Sequence, residues 1–259
     1  MDIVVSSPGS PGTSFTENVK EQIIKIFDVL CEHEDFSSAG DLRKFLEKEY
    51  GFKQAYTRNI LAFLQNCGIV NYQNNTKLDN KNFFTDIGKS YVDILKCIKV
   101  MNDQQNADPF VLEKLQSIEQ VIYFRCLVLM MKNKECNYAQ DFFDVLRFVD
   151  FYGSIDSTEY LLIQYERENT FGDYIRQMAD RVNKYREKLI NIKVHTKTKN
   201  DNKGDAKSVN SFPYVNGNFS KAGVLVKSDS NRFAFNMERQ AEIQSAIREV
   251  STVWQSSMQ

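Results

Sequence analysis

The chain has 259 residues, room for one large domain or two to three small ones, and its 42% hydrophobic content with 19 Phe excludes global disorder. Its 33 basic and 34 acidic side chains nearly cancel. Total charge therefore singles out no partner class, although local patches rather than the sum set the field at a phosphate backbone.

In chain order, Met1-Asp2-Ile3-Val4-Val5 lacks the basic leader and long apolar core of a secretion signal. The Ser/Pro/Gly-rich stretch from Ser6 to Ser14 reads as a flexible arm, so residues 1–15 are set outside the fold. From Thr16, the spacing of Val19, Ile23, Ile24, Ile26, Phe27 and Leu30 predicts a helix with one broad apolar face. Ser37-Ser38 can cap a second helix, which carries Leu42, Phe45 and Leu46 and stops at Gly51. A third runs from Lys53 to Cys67, with Ile60, Ala62, Phe63, Leu64 and Cys67 as its buried side. Wing strands at Ile69 to Gln73 and roughly Lys81 to Thr85 flank the turn-rich Asn74 to Asn80, and Gly88 to Met101 makes a closing helix.

The middle reads as all helix: Leu115 to Met131, Asp141 to Tyr152, Glu159 to Arg167 and a long helix from about Phe171 to Ile192. Lys193 to Lys207 is polar and charged, a linker. The last element, within Ser208 to Val250, repeats the order helix, Gly stop and hairpin, with a polar tail behind it. The fold class expected is mainly α with small β-hairpins: tandem winged-helix (helix-turn-helix) modules joined by an all-helical middle section. The winged helices fall at 16–104 and 208–250, the helical middle domain at 105–192, the linker at 193–207 and the tail at 251–259.

Five Cys without a CxxC and two His far apart in sequence give structural zinc little support, and buried thiols in a reducing cytoplasm are the expected state. No stretch reaches the roughly 18 apolar residues of a membrane span. No Gly-rich phosphate loop follows a strand, and no Ser-His-Asp or Cys-His pattern offers a nucleophile.

Three stretches carry a family resemblance. They are Tyr56 to Val70 with Phe84-Thr85-Asp86-Ile87-Gly88-Lys89, then Gly153 to Tyr160 with the helix ending Tyr185-Arg186-Glu187, then Tyr214 to Phe235. Their order resembles the N-terminal recognition region of the AlwI family of type IIS restriction endonucleases, FokI-like enzymes that arrange winged helices along DNA. Such enzymes continue into a nuclease domain whose carboxylates hold Mg²⁺ beside a Lys. The Asp-x-Lys tripeptides here, at Asp79, Asp201 and Asp205, fall in polar loops rather than on a buried strand. The resemblance thus implies a recognition module with no catalytic residues and no cofactor of its own; Mg²⁺ would enter only with a nuclease domain supplied elsewhere.

In a winged helix the leading half of the third helix enters the major groove. Lys53, Gln54, Tyr56, Thr57, Arg58 and Asn59 occupy that position, and Arg, Gln and Asn suit base edges. Lys77 and Lys81 in the wing suit phosphate. Asn216, Asn218 and Lys221, with Asn210, Ser211 and Tyr214, are the corresponding set in the last module, and the linker lysines from Lys193 to Lys207 could clamp the backbone between modules. The function expected is sequence-specific binding of double-stranded DNA in a type II restriction system, partnered by a separate nuclease chain or a second copy. The rival is a tandem winged-helix protein-interaction scaffold or transcriptional regulator, which the near-zero net charge favours.

Overall fold

A computed structural model describes residues 1–6, 9–33, 36–73, 76–104, 106–196, 204–205, 211–229 and 231–255, and is mainly helical with a few short strands. The chain forms two compact units, one of residues 11–133 with 221–223, the other of 1–10, 134–220 and 224–259. This division differs from the expected one. The helical middle is not a domain of its own, because its first helix belongs with the amino-terminal unit and the rest with the carboxy-terminal unit.

In the amino-terminal unit, α1 (Glu17–Glu32) starts where Thr16 accepts from the Val19 amide, and α2 (Ala39–Tyr50) where Ser38 accepts from the Asp41 amide. Gly51 ends α2 at φ 72°, and Gly68 at φ 69° turns the chain out of α3 (Gln54–Asn66). Val70 and Phe84 then meet in an antiparallel bridge, flanked by bonds from the Asn71 amide to the Phe83 carbonyl and from the Thr85 amide to the Ile69 carbonyl. Among the described residues this bridge replaces the two wing strands expected. The chain between spends its polar groups locally: Asp79 accepts from the amides of Lys81 and Asn82, and the Leu78 amide donates to Phe36. Thr85 caps α4 (Asp86–Asp103), and Asp108 caps α5 (Pro109–Lys132), with Pro109 in its first turn.

The core of this unit gathers around Phe15, stacked on Tyr123 at 4.3 Å and edge-on to Phe63 at 5.4 Å. Phe15 was expected in a flexible arm, yet it is fully buried, because a ring of that size contributes more inside than any loop gains by freeing it. Beneath it the buried Glu119 carboxylate accepts from the Tyr91 hydroxyl at 3.1 Å and from the Lys20 ammonium at 2.9 Å.

The carboxy-terminal unit contains, in chain order, β1 (Asp2–Val5), α6 (Ala139–Tyr152), β2 (Ser154–Ile155), α7 (Ser157–Asn169), α8 (Tyr174–Gln177), α9 (Ala179–Arg186), β3 (Lys193–Thr196), β4 (Gly204–Asp205), α10 (Phe212–Lys221, its last residue at the unit's edge), β5 (Leu225–Lys227), β6 (Phe233–Phe235) and α11 (Gln240–Gln255). Among the described residues two three-stranded sheets form, in the orders β1-β3-β4 and β2-β6-β5. Strand β1 pairs in parallel with β3, Ile3 opposite Val194, so the supposed arm and the start of the supposed linker are both sheet. Ile3 and Val5 point into the unit while Asp2 and Val4 face out, the period of a half-buried strand. The single long helix expected from Phe171 is instead α8 and α9, parted at Met178.

Two buried charge networks brace this unit. Glu159, wholly buried, closes a capping box with Asp156 and accepts from Arg186 at 2.7 Å and from Arg232 at 2.5 Å. The same two guanidiniums reach Ser154, Arg186 at its carbonyl and Arg232 at its hydroxyl, so β2, α7, α9 and the β5–β6 hairpin share one set of bonds. In the second network Arg167 pairs with Asp141 at 2.7 Å and Asp144 at 3.3 Å, and the Tyr174 hydroxyl donates to Asp144 at 2.7 Å. Burial pushes the Asp144 carboxyl up to about 6 in spite of Arg167 beside it. Burial also works against the charge on Arg167, but Asp141 and Asp144 outweigh it and hold its pKa above the ordinary value.

Candidate nucleic-acid interface

Helix α3 divides cleanly by face. Thr57, Ile60, Leu61, Phe63 and Leu64 are buried, whereas Ala55, Arg58, Ala62 and Gln65 recur at helical spacing on the exposed side. Two alanines flank Arg58 there, so little side-chain bulk stands beside it on that face. Lys53 and Tyr56 are exposed at the same leading turn, and Asn59 is half-buried, with its amide close to Gly12. Gln54 is already engaged, bonded through its backbone and side chain to Glu47 of α2, which offsets the positive end of α3.

Thr57 is a correction. It is fully buried and its hydroxyl donates back to the Lys53 carbonyl at 3.3 Å, because i to i−4 bonding satisfies a threonine turned toward the core. Of the wing residues, Lys77 and Lys81 are both exposed. In α10, Asn218 is a second correction: buried, it donates to the Tyr214 carbonyl at 2.9 Å. Ser211 is buried too, 2.6 Å from the Tyr160 hydroxyl. Tyr214 and Lys221 are exposed, and Asn216 is half-buried beside Ser220. Asn210 and the linker lysines Lys197, Lys199, Lys203 and Lys207 lie outside the described residues.

Two cations, Lys227 and Lys89, were not singled out by the sequence. Lys227 is exposed on β5, next to the exposed Val226. Lys89, in the first turn of α4, joins Lys77 and Lys81 around a groove of about 810 Å³ between α1 and residues 77–84, floored by Phe27 and Phe84. Only the packing of residues 77–84 against α1 brings these positions together, so no local pattern could have shown it.

Among the described residues no group of three or more His, Cys, Asp or Glu is placed to hold a metal ion. Asp79, in the Asp-x-Lys of the wing, accepts from two backbone amides and the Asn82 amide, a turn-forming set that does not fit a magnesium ligand. The five cysteines are thiols; Cys67, Cys126 and Cys136 are buried, but Cys31 and Cys97 are exposed, contrary to expectation. No helix among the described residues is long and apolar enough to cross a membrane. Comparison with protein-family models, curated proteins and solved structures finds nothing that matches the chain.

Proposed function

We propose that this protein binds double-stranded DNA with sequence preference, each unit acting as a winged helix, and that it serves as the recognition module or subunit of a type II restriction system. A nuclease on another chain, or a further domain, would cut. The observation that carries the reading is the exposed face of α3, with Arg58 set between Ala55 and Ala62 and the opposite face locked in the core. Connectivity in the carboxy-terminal unit supports it: α6, β2, α7, then α10 and the β5–β6 hairpin, with the last strand central in the order β2-β6-β5. We read that order as the winged-helix plan, with α8, α9, β3 and β4 taken as an insertion ahead of the third helix. The same reading of the amino-terminal unit takes the Leu78–Phe36 bond and the Val70–Phe84 bridge as what remains of its sheet.

Selection of bound molecules from a random duplex pool tests this. The expected result is enrichment of one short motif whose affinity falls steeply with salt as lysines release counterions from phosphate. Equal recovery of all sequences overturns it.

One observation favours a protein-binding scaffold instead. The first half of α5 exposes Phe110, Val111, Ile118 and Val121, more apolar surface than a solvated helix ordinarily shows. Binding of a protein partner through that stripe would be insensitive to salt, which separates the two readings.

A further inference from the structure

Helix α5 changes character halfway along. In its second half Phe124, Cys126, Val128 and Met131, on different sides of the helix, are all buried, whereas in the first half only Glu119 is. Glu119 fixes which side faces the core, through its bonds to Tyr91 and Lys20. On the opposite side Phe110, Lys114, Ser117 and Val121 are exposed at the three- and four-residue spacing of one helix face, with Val111 and Ile118, also exposed, along one margin. Solvent ordinarily meets the polar side of a helix, and here it meets Phe, Val and Ile.

Charge sits at the middle of this face. Glu113 and Lys114 are exposed, and neither forms an ion pair among the described residues; the Lys114 ammonium lies 5.1 Å over the Phe110 ring. Phe110 marks one end of the face and Val121 the other, about 16 Å apart at the rise of an α-helix. One end is a large ring and the other a small branched side chain, so the face has a direction.

We infer that this face pairs with the same face of a second copy of the chain, the two α5 helices antiparallel about a two-fold axis between Leu115 and Gln116. That order sets Phe110 level with the partner's Val121, large against small, and Lys114 level with the partner's Ser117. It also brings Glu113 within about a turn of the partner's Lys114, and the reverse by symmetry. Parallel order would instead set Phe110 against Phe110, Glu113 against Glu113 and Lys114 against Lys114. Opposite charges flanking the axis make the face complementary to itself, which an isologous contact demands and an unrelated partner does not. The apolar ends supply the attraction and the charges fix the register. A face of this length is smaller than the roughly 800 Å² per partner of a standard complex, so the pair is a weak one, forming at micromolar concentration. The inference names the partner of the α5 stripe and does not rest on duplex recognition, which uses α3.

Sedimentation velocity of the full chain without DNA, from micromolar to submillimolar concentration, tests it. The expected result is a reversible monomer–dimer equilibrium that goes no further, because a two-fold contact closes on itself. Phe110→Glu should weaken association at least about tenfold, the loss of one buried ring per copy, while circular dichroism stays unchanged. Glu113→Lys and Lys114→Glu, each alone, set like charges across the axis and should weaken it about fivefold. Mixing those two variants restores opposite charges at both positions, and the mixture should form a heterodimer of wild-type affinity. A chain that stays monomeric throughout overturns the pairing, and so does association that Phe110→Glu leaves intact or a mixture no tighter than its two components. Motif selection by a monomeric chain would remove the dimer alone, and a dimer that selects no motif would remove the DNA reading alone.

Discussion

Gly88 shows how a short motif is explained by a close approach rather than by chemistry. Thr85 donates its hydroxyl to the Gly68 carbonyl at 2.6 Å and accepts from the Gly88 amide at 3.1 Å, drawing the first turn of α4 onto the end of α3. A Cβ on Gly88 would collide with the Ile69 carbonyl, a backbone group that cannot swing aside. Gly88→Ala should therefore destabilise the amino-terminal unit by about 2–3 kcal/mol in chemical denaturation, the cost of overpacking a fixed contact. An unchanged midpoint would show that the approach relaxes freely. The run from Phe84 to Lys89 thus has a packing reason of its own, which any protein closing a bridge onto a helix could share, and it carries no argument for a restriction enzyme.

Asp144 makes a prediction in pH. Its carboxyl is raised from 3.8 to about 6 by burial, so the folded state takes its proton more readily than the unfolded chain does. The stabilising contribution of this group is then complete below its ordinary value and is lost as pH rises through about 6. A shift of that size corresponds to at most about 3 kcal/mol. Comparison of the wild type with Asp144→Asn isolates it, since other titrating groups cancel. The wild type should gain stability relative to the variant between pH 7 and pH 5, and parallel curves would contradict the assignment.

At the scale of elements, the helices were legible and their partners were not. Thr16, Ser38, Gly51 and Gly68 mark starts and stops by local chemistry, and α1 to α3 follow them within a residue or two. Strand β1 was hidden because its four residues carry too short an alternation, and its partner β3 lies far along the chain. Likewise β2, two residues long, joins the β5–β6 hairpin across a long separation in sequence, which no local pattern records. The exposed positions were readable at Arg58, Lys53 and Tyr56, and the inward turn of Thr57 and Asn218 was readable too, since helical phase sets Thr57 with Ile60, Leu61 and Leu64 and Asn218 with Val215 and Ala222; polar residue type had masked it. Replacement of Ile3 and Val5 by Ala tests the weight of β1. Both are buried, and loss of their side chains should cost about 3–5 kcal/mol together and raise hydrogen exchange along β3. Exchange unaltered at Lys193 to Thr196 would mean that β1 is an ornament on the unit.

At the scale of the whole molecule, two mainly helical units in one chain with balanced total charge suit, on the proposed winged-helix reading, recognition that relies on a few placed groups more than on bulk attraction. Lysines and arginines are then expected to divide by task. Lys81→Ala, at a phosphate contact, should weaken all duplexes alike and reduce the salt slope by about 1. An undiminished slope would remove the wing from the interface. Arg58 should behave differently, because a base contact carries sequence information and a phosphate contact does not.

The most direct measurement compares wild type and Arg58→Ala on the motif that selection enriches and on every single-base variant of it. Our account expects the substitution to cost about 1–3 kcal/mol on the preferred motif and to relax preference at one base position while others stay discriminated. Identical discrimination profiles for the two proteins, or uniform weakening at every position, would contradict a role for α3 in reading DNA sequence.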